Sequence, residues 1–223
     1  MKILSIGREI TYSGLDIKNI KYPSKDIDFT LYSYIIISGG DGLIRRVLKE
    51  CYHLEVIPKI VLNPIGSFNV IAKLHRVPNY FNILKKIEKN EDIKSNKQRL
   101  FRVNREIFLF SAGNMGDLQH ILLSETLRFG ILKNGIGKYI LSAFFLFPVH
   151  LVMTPFMLIS SKRFFIFTPF KFIKKIGSFY GRVDNIKIDL DNDHNMIELD
   201  GDIVTIDERY LEIEEVAIVD IIV

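Results

Sequence analysis

The sequence predicts an α/β N-terminal domain with glycine-rich loops, followed by a mostly β C-terminal domain with an inserted apolar helix. Three observations predict this fold class. Two apolar, β-branched runs each end in a glycine-containing turn and continue into a helical pattern, at residues 35–48 and 57–73. Short strand-like segments separated by turns dominate from Phe164 onward. Between these regions lies Tyr139–Ile159, an almost unbroken apolar stretch.

The first strand–turn–helix segment carries the motif Gly39-Gly40-Asp41-Gly42, between the strand-like run Ile35–Ile37 and a helical pattern. Glycines let a ligand approach the backbone closely, and the N–H groups at a helix start favour an anion such as phosphate. The motif has neither the Gly-Lys-Ser/Thr of a P-loop nor the G-x-G-x-x-G of a dinucleotide fingerprint. A phosphate-binding turn and a plain structural turn therefore both remain open.

The second segment, Ile57–Lys73, again runs from an apolar strand through a turn, here with Pro64 and Gly66, into a helix. Two such segments in succession predict a parallel sheet with both turns at its carboxyl edge, where open α/β sheets bind ligands. Ser67 and Asn69 would then present short polar side chains beside the first glycine turn. Alternatively, one of these two residues caps the helix that follows.

The order of these patterns predicts two domains, residues 1–95 and residues 96–223. Tyr80–Lys89 has the pattern of a short amphipathic helix that ends the first domain. The polar stretch Asn90–Gln98 is typical of a linker, and residues 99–115 predict paired strands.

Both glycine motifs resemble the catalytic domain of the diacylglycerol kinase family, in its bacterial lipid kinase branch. GGDGLIRRVL and NPIGSFNVIAKLHRVP are similar to the family's Gly-Gly-Asp-Gly-Thr and Pro-x-Gly-Thr-x-Asn-Asp-x-Ala-Arg. Downstream, residues 101–113 resemble a strand pair of the family, and Glu198–Asp202 resembles its Asp-Gly-Glu segment. The resemblance covers residues 30–210 in the family's order. Sphingosine kinases share this pattern, and NAD kinases share its first element.

The resemblance implies a nucleotide cleft for ATP and Mg²⁺. Asp41 would help to hold the magnesium ion, and Asp202 would be the general base that accepts the proton of a lipid hydroxyl. Asp202 is one methylene shorter than the family's Glu. The residues implied to frame the nucleotide are Gly39, Gly40, Asp41, Gly42, Gly66, Ser67 and Asn69.

Three positions depart from the family pattern. Leu43 replaces Thr, Arg46 stands where many members carry Glu, and Val70 replaces Asp. Because these changes remove polar groups from the cleft, two functions are open. One is an ATP-dependent lipid kinase with weakened activity toward a hydroxyl of a diacylglycerol-type or related lipid. The other is a non-catalytic, membrane-associated binding module of the same fold. A diverged NAD kinase is a third alternative.

Composition restricts the class of protein. The chain has 223 residues, 48% hydrophobic and 25% charged, which indicates a folded protein with a sizeable core. A net charge of +4 is too small for a nucleic-acid-binding surface. Cys51 is the single cysteine and the five histidines lack metal-ligand spacing, so neither a disulfide framework nor a zinc site is expected. The N-terminus lacks a signal-peptide pattern, and we expect a cytoplasmic protein.

The apolar segment Tyr139–Ile159 approaches the ~20 residues that a membrane span needs. Pro148, Pro155 and His150 interrupt it, and basic residues flank it. These features favour a helix that is partly core and partly a membrane-docking surface. A true span, a fully buried helix and a homodimer interface are the alternatives.

A basic and aromatic stretch follows this segment. Lys171, Lys174 and Lys175 alternate with Phe170 and Phe172 and could add electrostatic adhesion to an anionic surface. An ordinary solvated loop is the alternative. The expected partners are therefore a lipid substrate and the inner face of a membrane, with peripheral association, and a homodimer is possible.

Overall fold

The computed structural model describes residues 1–23, 27–114 and 137–223, with only part of the side chains in 137–159. A 3₁₀ helix spans Phe29–Leu31, and the α-helices are α1 (Asp41–Cys51), α2 (Val70–His75), α3 (Tyr80–Glu88) and α4 (Gly137–Ile159). The strands are β1 (Lys2–Ile6), β2 (Asp16–Ile20), β3 (Tyr34–Gly39), β4 (Lys59–Pro64), β5 (Ser95–Val103), β6 (Glu106–Phe108), β7 (Ser111–Gly113), β8 (Phe165–Phe167), β9 (Lys175–Ile176), β10 (Phe179–Tyr180), β11 (Ile186–Asp189), β12 (Asn195–Leu199), β13 (Asp202–Ile206) and β14 (Tyr210–Ile222).

The chain divides into two compact units. The first unit contains Met1–Leu100 and Val216–Val223, and the second contains Phe101–Glu215. The last residues of the chain therefore return to the first unit, which the sequence pattern alone does not indicate.

The first unit is built on parallel strands in the order β2-β1-β3-β4, followed by the end of β14, where Ile221 lies opposite Ile60. Ile35–Ile37 and Ile60–Leu62 are almost fully buried, as is typical of strands covered on both faces. The strands of the two strand–turn–helix segments, β3 and β4, are parallel neighbours, which confirms that prediction.

Helix α3 confirms the predicted amphipathic helix. Its buried Ile83, Leu84 and Ile87 belong to one hydrophobic cluster with Ile36 and Val61 of the sheet. The side chain of its N-cap residue, Asn79, accepts a hydrogen bond from the N–H of Phe81 at 2.9 Å. The cap fixes where the helix starts, and the apolar face fixes which side meets the sheet.

The second unit is mostly β. Its main sheet has the strand order β13-β12-β7-β8-β10-β9, with β11 paired to the first part of β14 and β5 paired to β6. Phe101 and Phe108 stack with ring centroids 5.3 Å apart, and Phe164 is fully buried in the same cluster. This architecture agrees with the predicted α/β domain followed by a mostly β domain.

The apolar segment of the sequence lies in α4. Pro148 and Pro155 fall inside the helix. Phe144, Phe145 and Phe147 are exposed, by 74%, 58% and 63%. Among the described residues, no helix meets the combined length and apolarity required to cross a membrane.

Candidate functional site

The two glycine turns lie side by side at the carboxyl edge of the first unit's sheet. Strand β3 ends at Gly39, which is in register with Pro64 at the end of β4. The N–H of Ile65 donates to the carbonyl oxygen of Gly39 at 3.3 Å, which ties one turn to the other. Gly40 is the N-cap of α1 with φ −93° and ψ −176°, and it makes no side-chain cap. The two turns are therefore adjacent at the edge of the sheet, and the residues at which they come closest, Gly40 and Gly66, have no side chains.

The turns touch through two glycines. A Cβ placed on Gly66 would lie 2.6 Å from the Cα of Gly40, and a Cβ on Gly40 would lie 3.3 Å from the Cα of Gly66. A side chain at Gly66 thus requires the backbone to move. The glycine in the second motif has a packing role at this contact.

Asp41 joins the same two turns through its carboxylate. The side chain is 7% exposed, and its two oxygens accept hydrogen bonds from the N–H groups of Val70 at 2.7 Å and Ile71 at 3.0 Å. Burial raises the pKa of Asp41, while the N–H groups of Ile71 and Val70 oppose that rise. Asp41, at the start of α1, therefore satisfies the first backbone donors of α2.

Asn69 closes the second turn on itself. Its backbone is left-handed, with φ 49°, and its side chain accepts from the N–H of Gly66 at 3.0 Å and donates to the carbonyl oxygen of Gly66 at 2.6 Å. Asn69 is the N-cap residue of α2, as the alternative predicts, but its side chain makes no cap hydrogen bond and Asp41 supplies the acceptor instead. Ser67 is exposed in the turn.

Leu43 covers the neighbouring part of the edge. Its Cδ2 would lie 2.5 Å from a Cβ on Gly39 and 3.3 Å from a Cβ on Gly7, the glycine that follows β1. Gly7 has φ +99°, a conformation that favours glycine. An apolar side chain thus lies where β1 and β3 end.

Two further residues at this edge were missed by sequence reasoning. Ser38 is buried, and its hydroxyl accepts a hydrogen bond from the side-chain amide of Asn63 at 3.0 Å. Both residues come just before the glycine turns on adjacent strands. A polar residue at the end of each apolar run is the signal that could have identified the pair.

The predicted general base lies in the second unit, next to a tight hairpin. Leu199 and Asp202 are paired across β12 and β13, with Asp200 and Gly201 as the two turn residues. Their φ angles are 52° and 88°, as in the primed turns that join twisted strands. Asp202 is half-buried at the start of β13.

The acidic neighbours of Asp202 make specific backbone contacts. The buried carboxylate of Asp200 accepts from the N–H groups of Leu109, Phe110 and Ser111 at 2.7, 2.9 and 3.0 Å. Glu198, also buried, accepts from the hydroxyl of Ser111 at 3.0 Å and from the N–H of Gly201. These two carboxylates connect the β12–β13 hairpin to β7 and the two residues before it. The sequence alone did not indicate this role.

Residues 16–103 match the family model of the diacylglycerol kinase catalytic domain. The resemblance to this family is confirmed. The matched region contains both glycine turns and ends before α4, the hairpin and Asp202. The likeness therefore covers the two glycine turns but not Asp202, and the predicted nucleotide, metal and base roles all stay predictions.

One relative has a name that is consistent with this family. The chain is 24% identical over 145 residues to a protein of Streptococcus pneumoniae serotype 4 named "Putative lipid kinase". The match covers 59% of this chain and 44% of that protein, so the chain corresponds to less than half of the relative's length.

Two solved structures are similar to part of the chain. A diacylglycerol kinase from Bacillus anthracis matches with a TM-score of 0.37 and 20% identity, over 50% of this chain and 45% of that one. An NAD kinase from Archaeoglobus fulgidus in complex with ATP matches with a TM-score of 0.36 and 15% identity, over 51% and 47%. These TM-scores are low, and nothing about activity follows from them.

The two glycine turns expose backbone where they meet. The close approach of Gly40 and Gly66 leaves no room for side chains at this contact. Over residues 1–23, 27–114 and 137–223, no group of three or more His, Cys, Asp or Glu side chains could hold a metal ion. The predicted metal role of Asp41 stays a prediction, since magnesium beside a nucleotide is usually held by only one or two carboxylates together with phosphates and water.

Proposed function

We propose that the chain is an ATP-dependent lipid kinase-like protein that transfers a phosphoryl group to a hydroxyl of a diacylglycerol-type lipid. The observation that carries this proposal is the pair of glycine turns at the adjacent carboxyl ends of β3 and β4. Ligands of open α/β sheets bind at this edge, and the family model covers both turns.

In this proposal the chain acts mainly by positioning. The first N–H groups of α1 and the backbone of the Gly66 turn hold the phosphates, and Asp41 keeps the two turns together. Bound magnesium would neutralise charge on the phosphates. Asp202 would accept the proton of the lipid hydroxyl, which is the role that the family resemblance implies.

Nucleotide binding is tested first by thermal unfolding with MgATP, with MgAMP as the control ligand. A ligand that binds only the folded state stabilises it by about 2.7 kcal/mol at a hundredfold excess over Kd. A rise in Tm with MgATP and a smaller rise with MgAMP support the proposal. No rise with either nucleotide contradicts it.

Phosphoryl transfer is tested with labelled ATP and diacylglycerol in mixed micelles. Labelled phosphatidic acid that disappears in Asp202→Asn supports the kinase reaction. ATP stabilisation without any labelled lipid leaves nucleotide binding standing and rejects the transfer.

The second candidate is a non-catalytic, membrane-associated module of the same fold. The position of Leu43 favours it, because an apolar side chain covers Gly39 and Gly7 at the edge where phosphate would bind. This module binds membranes without any ATP-dependent rise in Tm. The diverged NAD kinase is the third candidate, and transfer from ATP to NAD in the same assay would support it.

Peripheral association with the inner face of a membrane is part of the proposal. A kinase that acts on diacylglycerol must reach a substrate that stays in the bilayer. Exposed apolar side chains along α4, such as Phe144 and Phe156, support a docking role for the helix. A homodimer formed through α4 is the alternative.

A further inference from the structure

The loop Thr168–Lys174 and the adjoining strand β9 present large apolar side chains to solvent. Phe172 is 82% exposed, Ile176 is 59% exposed and Phe170 is 44% exposed. Single exposed apolar residues are common, but a contiguous group marks an interaction surface.

This loop is held in a defined conformation. The N–H of Phe170 donates to the carbonyl oxygen of Phe167 at 3.2 Å, and the N–H of Ile173 donates to that of Phe170 at 3.0 Å. The Phe170 ring contacts Phe167 with centroids 5.1 Å apart, and Phe172 contacts Phe170 at 5.7 Å. The carbonyls of Phe170 and Ile173 approach Gly181 so closely that no Cβ fits there. Phe172 is therefore presented by an ordered loop.

The C-terminal end of α4 is fastened beside the same loop. The N–H of Ser178 donates to the carbonyl oxygen of Leu158 at 2.9 Å, and the hydroxyl of Ser178 donates to that of Ser160. Gly177 has φ +57°, and the carbonyl of Leu158 occupies the position that its Cβ would take. Ile159, 84% exposed, thus lies at the end of α4 close to Lys175 and Gly177.

The charge around this surface is mostly positive, although the carboxylates of Asp184 and Asp191 pair with Lys174 and Lys162. Residues 126–183 contain no aspartate or glutamate, although the chain has 26 such residues. Lys171 is exposed, and the ammonium of Lys175 lies 4.9 Å from the ring centroid of Tyr180. The basic residues between α4 and β11 are Lys162, Arg163, Lys171, Lys174, Lys175 and Arg182.

We propose that these residues form a surface that docks the second unit on an anionic lipid bilayer. The docking surface consists of Ile159 and residues 170–176. Phe172, Ile176 and Ile159 insert among the acyl chains, and the lysines of the loop contact anionic headgroups. The inference rests on the proposed membrane function and names the inserting residues and the charge of the lipid. An apolar surface with more basic than acidic residues around it complements an anionic bilayer better than a neutral one.

The test measures sedimentation of the full chain with two kinds of vesicle. One is phosphatidylcholine alone, and the other is equal parts of phosphatidylcholine and phosphatidylglycerol. We expect the parent protein to bind the anionic vesicles more tightly. Phe172→Ser should weaken that binding about tenfold or more, since the ring no longer enters the bilayer. The triple variant Lys171→Gln, Lys174→Gln and Lys175→Gln should weaken it about 100-fold.

Matched controls come from the first unit. Lys85→Gln, Lys86→Gln and Lys89→Gln remove the same charge from exposed positions at α3, and Val56→Ser removes a side chain that is 77% exposed. These controls should bind vesicles nearly as the parent does. Phe172 and Val56 are both highly exposed, so we expect their variants to fold. Circular dichroism checks that each variant is folded.

Three results would overturn the inference. One is equal binding of both kinds of vesicle, and another is an equal loss in the α3 control. The third is a change of oligomeric state in Phe172→Ser with vesicle binding unchanged, which would make the surface an interface between copies. Because the assay contains no ATP, its outcome is independent of nucleotide binding and phosphoryl transfer.

Discussion

The Asp41 carboxylate accepts a hydrogen bond from the N–H of Val70 at 2.7 Å. The first glycine motif therefore caps α2, the helix that follows the second glycine motif. The other oxygen accepts from Ile71 at 3.0 Å. Helix α2 is short and its own N-cap residue, Asn69, makes no side-chain cap. Asp41, the acidic residue of the Gly-Gly-Asp-Gly turn, therefore has a structural role that does not depend on a ligand.

Asp41→Asn should destabilise the first unit. Asn keeps one acceptor and turns an N–H₂ group toward a backbone donor, so one hydrogen bond to a charged group is lost, at a cost of about 1.5–3 kcal/mol. The measurement is the free energy of unfolding in urea. Asp16→Asn, on the exposed start of β2, is the matched control and should change that energy little. Equal stability of Asp41→Asn and parent would contradict the capping role.

The stability that Asp41 confers should depend on pH. Because burial raises its pKa, the folded protein takes up the proton at a higher pH than the unfolded chain. Stability therefore rises as pH falls through the raised pKa and is lower above it. The parent should gain stability relative to Asp41→Asn as urea unfolding is measured at successively lower pH, from neutral down to the ordinary Asp pKa of about 4. A difference that is independent of pH would show that the pKa is not raised.

Gly66→Ala should disturb the contact between the two turns. Its Cβ would lie 2.6 Å from the Cα of Gly40, so the backbone must shift, at a cost of about 1–3 kcal/mol. Gly40→Ala is the matched comparison, because its Cβ would lie 3.3 Å from Gly66 and its φ of −93° suits alanine. The expected order of stability is parent, Gly40→Ala, Gly66→Ala. Thermal unfolding measures it, and the reverse order would show that the turns do not pack this way.

Local patterns predicted much of the first unit. The apolar runs at Ile35–Ile37 and Ile60–Leu62 became adjacent parallel strands because β-branched residues ending at a glycine turn favour a buried strand. The spacing of the apolar residues in α3 predicted which face of the helix is buried. These features depend on neighbours in sequence, which a pattern can reveal.

Contacts between distant residues could not be predicted in this way. Asp41 and Val70 meet across two turns, and Asp200 meets the N–H groups of Leu109 and Phe110 from another hairpin. The N–H of Val223, the residue after β14, donates to the carbonyl oxygen of Lys94 in the first unit. The chemistry of a carboxylate or an amide is visible in the sequence, but its partner is set by the fold.

Substitutions of Asp200 and Asp202, the two aspartates of the hairpin, should affect different properties of the protein. Asp200→Asn loses charge at an oxygen pair that accepts three N–H groups, so we expect a loss of about 2 kcal/mol in stability. Asp202→Asn should slow phosphoryl transfer by about 10²–10⁴-fold if Asp202 is the base, whatever its effect on stability. Urea unfolding and the lipid assay measure the two effects. Full activity in Asp202→Asn would place the base elsewhere.

Leu43→Thr should strengthen ATP binding if the apolar side chain obstructs the phosphate edge. The substitution withdraws the Cδ2 that lies against Gly39 and Gly7, and it supplies the hydroxyl that the diacylglycerol kinase family carries at this position. We expect the affinity for MgATP to rise about tenfold, equivalent to about 1.4 kcal/mol, measured by calorimetry or by the shift in Tm. Leu74→Thr on α2, where the side chain is 49% exposed, is the matched control and should leave the affinity unchanged. Adding Val70→Asp, the second family residue, should raise transfer to lipid further. If Leu43→Thr binds MgATP no better than the parent, then Leu43 does not limit nucleotide access, and any weak activity must have another cause.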